Sequence, residues 1–177
     1  MTGPQTPLDG VDYTDAGTAA RYFEGGAWIN QRIDQQLKIS RDRYGDKPAF
    51  ICDDAVLTFG ELDRRTDALA RGLRHQGLRA NDRALFQMGT TIDTAVAFFG
   101  CLKAGVIPVC AIPQYRELEM HKLADLTCPS AYFVQKDGGS FDLVEFAKKV
   151  ANEKSIKHVF VSGDKTAVGV FELSDLI

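Results

Sequence analysis

A chain of 177 residues, 45% hydrophobic and 25% charged, has the ordinary composition of a globular domain with room for one substantial core. Its formal net charge of −3 gives no electrostatic footprint for a nucleic-acid partner. No stretch approaches the roughly 18 apolar residues of a membrane-spanning helix, and residues 1–10 lack the basic and apolar regions of a signal peptide, so a cytoplasmic location is the default expectation.

Residues 1–20 carry Pro, Gly, Thr and Asp with few large apolar groups, and are expected to form an extended, flexible leader ahead of a single α/β unit over residues 21–177. From Trp28 the pattern turns helical: Trp28, Ile29, Ile33, Leu37 and Ile39 follow the period, with Gly45 as a left-handed stop and Pro48 beyond it. Residues 49–52 and 55–57 are apolar runs about the polar Asp53-Asp54 turn, which predicts a small hairpin. Thr58-Phe59-Gly60-Glu61 is a capping box, with Leu57 and Leu62 placed as its hydrophobic staple. Leu62, Thr66, Leu69 and Leu73 then mark the inner stripe of a helix that Gly77 ends.

The remainder alternates. Strands are expected at residues 83–88, 106–112 (a buried one), 131–135 and 158–162, and helices at 92–103, 117–126 and 141–153, the last with Leu143, Val144, Phe146, Ala147 and Val150 inward. Such alternation predicts an α/β fold: a mainly parallel sheet with helices on both faces, preceded by a small N-terminal hairpin.

Local chemistry offers little for catalysis. Gly89-Thr90-Thr91 runs from a strand into a helix, where exposed N–H groups can bind anions, but the second glycine and the lysine of a phosphate loop are absent. A plain turn with Thr90 or Thr91 as N-cap is favoured. Gly138-Gly139 is read as an exposed loop. His75, His121 and His158 are far apart in sequence and define no nucleophile–base pair, and His75 suits the last turn of its helix. Asp53-Asp54 and Glu117/Glu119 are read as solvated acidic groups. Cys52, Cys101, Cys110 and Cys128 form no zinc-type spacing and are read as structural.

Three stretches carry a resemblance. Leu57-Thr58-Phe59-Gly60-Glu61-Leu62 is followed by Ala68-Leu69-Ala70-Arg71-Gly72-Leu73 and Gly77-Leu78; then come Asn81-Asp82-Arg83-Ala84-Leu85 and Ala97-Phe98-Phe99-Gly100-Cys101-Leu102-Lys103-Ala104-Gly105-Val106-Ile107-Pro108-Val109. In this order and spacing they resemble the N-terminal part of the adenylate-forming (AMP-binding) ligases, the superfamily of acyl-CoA synthetases and aryl-acid–AMP ligases. Tyr22-Phe23-Glu24-Gly25-Gly26-Ala27-Trp28 and Ile112-Pro113-Gln114-Tyr115-Arg116 with Glu119 are similar to segments of the siderophore-type, 2,3-dihydroxybenzoate–AMP ligase-like members, with Tyr115 where those carry histidine.

The resemblance implies a parent enzyme that activates a carboxylic acid with ATP and Mg2+, then passes the acyl group to CoA or to a phosphopantetheine carrier protein. An aryl acid of siderophore metabolism is the implied substrate class, with a fatty acid as the alternative. It also implies that Gln114, Tyr115 and Arg116 line a substrate or thiol tunnel. The family's lysine-terminated phosphate loop, its ribose-binding acid and its C-terminal lysine have no counterpart in this sequence, so no catalytic, cofactor-binding or metal residue is assigned. The expected partners are the remainder of the ligase and a carboxylic acid, with no nucleic acid and no membrane span. The chain alone is expected to be inactive and to hold neither ATP nor Mg2+. The alternative is a non-catalytic binding or interaction module derived from that fold. Replacing Thr58 by alanine removes the side-chain acceptor of the capping box and is expected to lower stability by about 1 kcal/mol. A shift of the denaturant midpoint at unchanged slope is the measurement.

Overall fold

A computed structural model describes residues 12–29, 31–136, 139–163 and 169–177. Helix α1 (Ala16–Glu24) starts where Asp15 accepts a hydrogen bond from the Thr18 N–H at 2.9 Å. Residues 16–20 are therefore helical rather than extended, while residues 1–11 lie outside the described part. Trp28 does not begin the next helix as its periodicity predicts. Its N–H donates to the Tyr22 carbonyl at 3.0 Å, and its ring meets Tyr22 and Phe23 at centroid distances of 4.9 and 5.7 Å, so the chain folds back onto α1.

Helix α2 (Ile33–Tyr44) thus begins later than expected and buries only Leu37; Ile33 and Ile39 face solvent. Gly45 is also not a left-handed stop. It stays right-handed (φ −45°, ψ −43°), and its carbonyl accepts the Gly60 N–H at 2.8 Å, which ties the end of α2 to the start of the following helix.

Strands β1 (Pro48–Cys52) and β2 (Ala55–Thr58) form the antiparallel hairpin, turned by Asp53 at φ 51°. Helix α3 (Phe59–His75) opens with the capping box: the Glu61 N–H donates to Thr58 Oγ1 at 3.2 Å, and the Thr58 N–H donates to Glu61 Oε2 at 3.0 Å. The staple residues Leu57 and Leu62 are both buried, as are Thr66, Leu69 and Leu73.

Then β3 (Arg83–Gln87), α4 (Ile92–Ala104), β4 (Ile107–Ala111), α5 (Glu117–Thr127), β5 (Ala131–Gln135), α6 (Leu143–Glu153), β6 (His158–Ser162) and β7 (Phe171–Glu172) follow, and the chain closes with a 3-10 turn at Leu173–Leu176. The sheet is parallel throughout, in the order β4-β3-β5-β6-β7.

Alternation along each strand feeds two cores. Phe86, Phe133 and Phe160 stand in register on one face, beneath α3 and α4, and stack at 4.6 and 4.8 Å, the spacing of the strands themselves. Leu85, Tyr132, Val134, Val159 and Val161 point to the other face, beneath α5 and α6.

Strand β4 departs from expectation. It is an edge strand, with Cys110 exposed and the rest half-buried, not a buried one. Pro108, which cannot donate to a ladder on both sides, is tolerated there. Helix α6 starts two residues later than predicted, because Asp142 accepts from the Val144 and Glu145 N–H groups and acts as the cap. The short β7 has no counterpart in the sequence reading.

Helices α3 and α4 touch along their length. A Cβ on Gly100 would stand 2.6 Å from Leu69 Cδ2, so glycine is what permits the close approach. One end of this packing holds a largely buried ionic cluster. Asp63 accepts from Lys103 Nζ at 2.5 Å and from Arg41 of α2 at 2.7 Å, and Lys103 also donates to Asp67 at 2.7 Å. The Asp63 and Lys103 side chains are only 5% and 10% exposed.

Burial works to raise the Asp63 pKa, but the two cations outweigh it and hold the carboxyl below its ordinary value. Its folded pKa being depressed, the stabilisation is fully present above the unfolded carboxylate pKa near 3.8 and is lost as pH falls through the lowered folded value. Asp63→Asn is expected to cost about 1–3 kcal/mol at neutral pH, since it removes the buried carboxylate from Lys103 and leaves it the more exposed Asp67. The difference from the parent chain should narrow below pH ~3.8, as chemical denaturation across pH would show.

Candidate functional site

In this fold α4, leaving β3, covers one face of the sheet, and α6, leaving β5, covers the other. The two connections diverge at the carboxyl ends of β3 and β5, which makes that point the topological switch of the sheet, where open α/β folds carry their ligand crevices. Three loops meet there: residues 88–91 after β3, 112–116 after β4, and 136–142 after β5, of which residues 137 and 138 are outside the described part. The Gly138-Gly139 turn is therefore only partly within view.

Gln87, the last residue of β3, is fully buried and polar. Both hydrogens of its amide are used: Nε2 donates to the Tyr115 carbonyl at 2.7 Å and to the Pro113 carbonyl at 3.3 Å. Its Oε1 accepts from the Tyr132 hydroxyl. Burial pushes the Tyr132 phenol well above its ordinary pKa, so it stays a neutral donor. One strand over, Gln135 Oε1 accepts the Gly89 N–H at 2.9 Å. Asp93, in the first turn of α4, accepts from Ser162 Oγ of β6 at 2.6 Å and from Arg65 of α3 at 3.1 Å.

The residues expected to line a tunnel fall at the rim of this edge. Gln114, Tyr115 and Arg116 are all exposed. Arg116 folds back on its own loop: its guanidinium donates to the Pro113 and Tyr115 carbonyls at 2.7 and 2.8 Å and lies 3.9 Å from the centre of the Phe141 ring. Gln114 and Arg116, with Phe141 and Leu143, border a small cleft of about 210 Å³. Tyr115 reaches the network through its backbone carbonyl, not its phenol. A larger apolar cleft of about 390 Å³ lies on the β4 side, walled by Phe50, Phe86, Phe98 and Phe99 and floored by Gly89 and Thr90.

Sequence reasoning singled out the 112–116 loop but missed Gln87, Tyr132 and Gln135. The available signal was an amide side chain within each otherwise apolar run, Gln87 in 84–88 and Gln135 in 131–135; Tyr132 carried none.

The Gly89-Thr90-Thr91 turn does not fit a triphosphate or its metal. The Gly89 N–H is taken by Gln135, and Thr91 Oγ1 accepts the Thr94 N–H at 3.2 Å as an ordinary N-cap. Thr94 Oγ1 donates in turn to the Gly89 carbonyl at 2.6 Å. Lys103 stands at the opposite end of α4, bound to Asp63 and Asp67. The arrangement can hold a loop in place and shape a crevice, with the Gly89, Thr91 and Thr94 N–H groups already bonded within the fold.

A parallel sheet with helices on both faces and a polar network at its switch point makes this an open α/β domain. The family model of AMP-binding enzymes matches residues 37–172, and the chain belongs to that family. It is 35% identical over 157 residues to triostin synthetase I of Streptomyces triostinicus, which covers 89% of this chain and 29% of that protein. It is 32% identical over 171 residues to the salicyl-AMP ligase / salicyl-S-ArCP synthetase of Mycobacterium tuberculosis, covering 91% of this chain and 30% of that one.

Among solved structures, the apo structure of MbtA from Mycobacterium smegmatis superposes with a TM-score of 0.86 at 30% identity, over 94% of this chain and 31% of that chain. A benzoate CoA ligase from Burkholderia xenovorans superposes at 0.67 and 25% identity, over 81% and 27%. The chain thus spans less than a third of the length of these relatives.

Gln87→Leu would remove both donors from the 112–116 loop and leave the buried Tyr132 hydroxyl without its acceptor. It is expected to cost about 1–3 kcal/mol in stability and to speed amide hydrogen exchange in residues 112–116 more than in α3.

Proposed function

We propose that this chain is the N-terminal part of an aryl-acid-activating ligase, and that it supplies scaffold and crevice wall rather than chemistry. The observation that supports this most directly is a conjunction: a family match across residues 37–172, in a chain that spans under a third of its relatives and whose Gly89-Thr90-Thr91 turn is already hydrogen-bonded to its own fold. Adenylation needs preorganised donors and cations at the phosphates undergoing charge development. In this proposal those groups, together with ATP and Mg2+, belong to the remainder of the parent enzyme, which forms an acyl-adenylate in the cytoplasm and hands it to CoA or to a phosphopantetheine carrier.

The relatives' names favour an aryl acid over a fatty acid as the parent's substrate: salicylate for the Mycobacterium tuberculosis protein and 2,3-dihydroxybenzoate for a Bacillus subtilis ligase 26% identical over 147 residues. Gln114, Tyr115 and Arg116 are proposed to border the substrate or thiol path. Their exposure at the carboxyl edge of the sheet is compatible with that role, and Gln87 would set the loop's position from beneath. The second reading is a binding module that has shed the chemistry. A coding sequence that continues beyond Ile177 into a Ser/Thr/Gly-rich, lysine-terminated loop would rule that module out.

The functional test is ATP–pyrophosphate exchange with Mg2+ and panels of aryl and fatty acids. The chain alone is expected to give no acid-dependent exchange. Exchange that copurifies with it and disappears in a Thr90→Ala/Thr91→Ala variant would overturn the proposal.

A further inference from the structure

Helices α5 and α6 lie side by side on the face of the sheet away from α3 and α4, and a row of charged groups runs along their outer seam. At one end Lys149 donates to Glu117 at 2.9 Å; at the other, Lys154 donates to Asp125 at 2.6 Å. Both are ordinary ion pairs. The rung between them is different. Glu117 and His121 stand four residues apart on α5, so their side chains share one helix face. Glu153 of α6 faces them, and one donor atom from each of the three lies within 4.8 Å of the other two.

His121 Nε2 is sealed from solvent and sits 2.9 Å from Glu153 Oε2, yet it forms no hydrogen bond of acceptable angle. A ring nitrogen and a carboxylate oxygen this close without a hydrogen bond between them are spaced as two donor atoms that one cation could hold together. A cation already stands beside them: the Lys149 ammonium, 2.9 Å from Glu117 Oε1 and 3.9 Å from Glu153 Oε1.

We propose that Glu117, His121 and Glu153 form a site for a divalent transition ion of the zinc type, which displaces the Lys149 ammonium and keeps water as its remaining ligand. One imidazole and two carboxylates are borderline-to-hard donors that suit Zn2+, Co2+ or Mn2+. Two carboxylates neutralise the ion's charge once Lys149 swings into solvent, where half of its side chain already lies (52% exposed). The ion would clamp α5 to α6 at a distance from the carboxyl-edge crevice, and the site stands independently of the proposed ligase activity.

The test titrates the purified chain with Zn2+ by calorimetry and with Co2+ by visible absorbance. One ion per chain is expected, with a Co2+ spectrum free of thiolate charge transfer. His121→Ala and Glu153→Gln should each weaken binding by more than about tenfold. Lys149→Gln, which removes the competing cation and no ligand, should tighten it by roughly fivefold or more. Lys149→Gln also keeps the test decidable if a ligand variant fails to fold.

Unchanged affinity in the ligand variants would overturn the proposal. So would a thiolate band that marks the exposed Cys110 or Cys128 as the ligand, or the absence of uptake at millimolar ion by both the parent chain and Lys149→Gln.

Discussion

The close packing of α3 on α4 is the constraint from which the rest of the structure follows. Gly100 lets Leu69 approach until no larger residue would fit, and the buried Asp63 carboxylate fastens Lys103 of α4 and Arg41 of α2 around that contact. Neither feature suffices alone. Dispersion between the helices is strong only at short range, so the glycine sets the distance. A carboxylate 5% exposed is tolerated only because two cations complete it, so the ionic cluster sets the rotation and register of three helices against one another. With α4 fixed in this way, the direction in which β3 must leave the sheet is fixed as well.

That direction produces the crevice. Helix α4 departs to one face while α6 departs to the other, and the gap between their starting loops is bridged by amide side chains at the strand ends. Gln87 and Gln135 do work there that backbone cannot: an amide offers donor and acceptor at once, so each can join a loop on one side to a strand or loop on the other without introducing charge into a low-dielectric setting. The hydrogen-bond network that joins these loops is consequently built from uncharged groups. Such a network suits a wall against which a ligand is held, which is the role the proposed function gives to this edge.

Much of the fold was legible along the chain. The capping box at Thr58, the stripe from Leu62 to Leu73, the hairpin about Asp53, and the alternation from Arg83 to Ser162 are all signals within a few residues, and each formed within about two residues of where it was read. The segments read less well are those in which a distant partner overrode a local pattern. Trp28 satisfied the helical period but found two aromatic rings on α1; Gly45 looked like a stop but serves as the acceptor for Gly60; the apolar run at β4 looked buried but came to lie at a sheet edge.

By itself, the sequence determined the element types, the parallel α/β class and the resemblance to adenylate-forming ligases, because periodicity, caps and short motifs are carried by neighbours in the chain. The tertiary structure alone decided the order of the strands, hence which loops meet at the switch point and why Gln87, Tyr132 and the 112–116 loop form one network. It also decided that Glu153 would stand opposite Glu117 and His121. Those groups are separated by tens of residues, and only the winding of the chain about the sheet brings them within hydrogen-bonding or ligating distance.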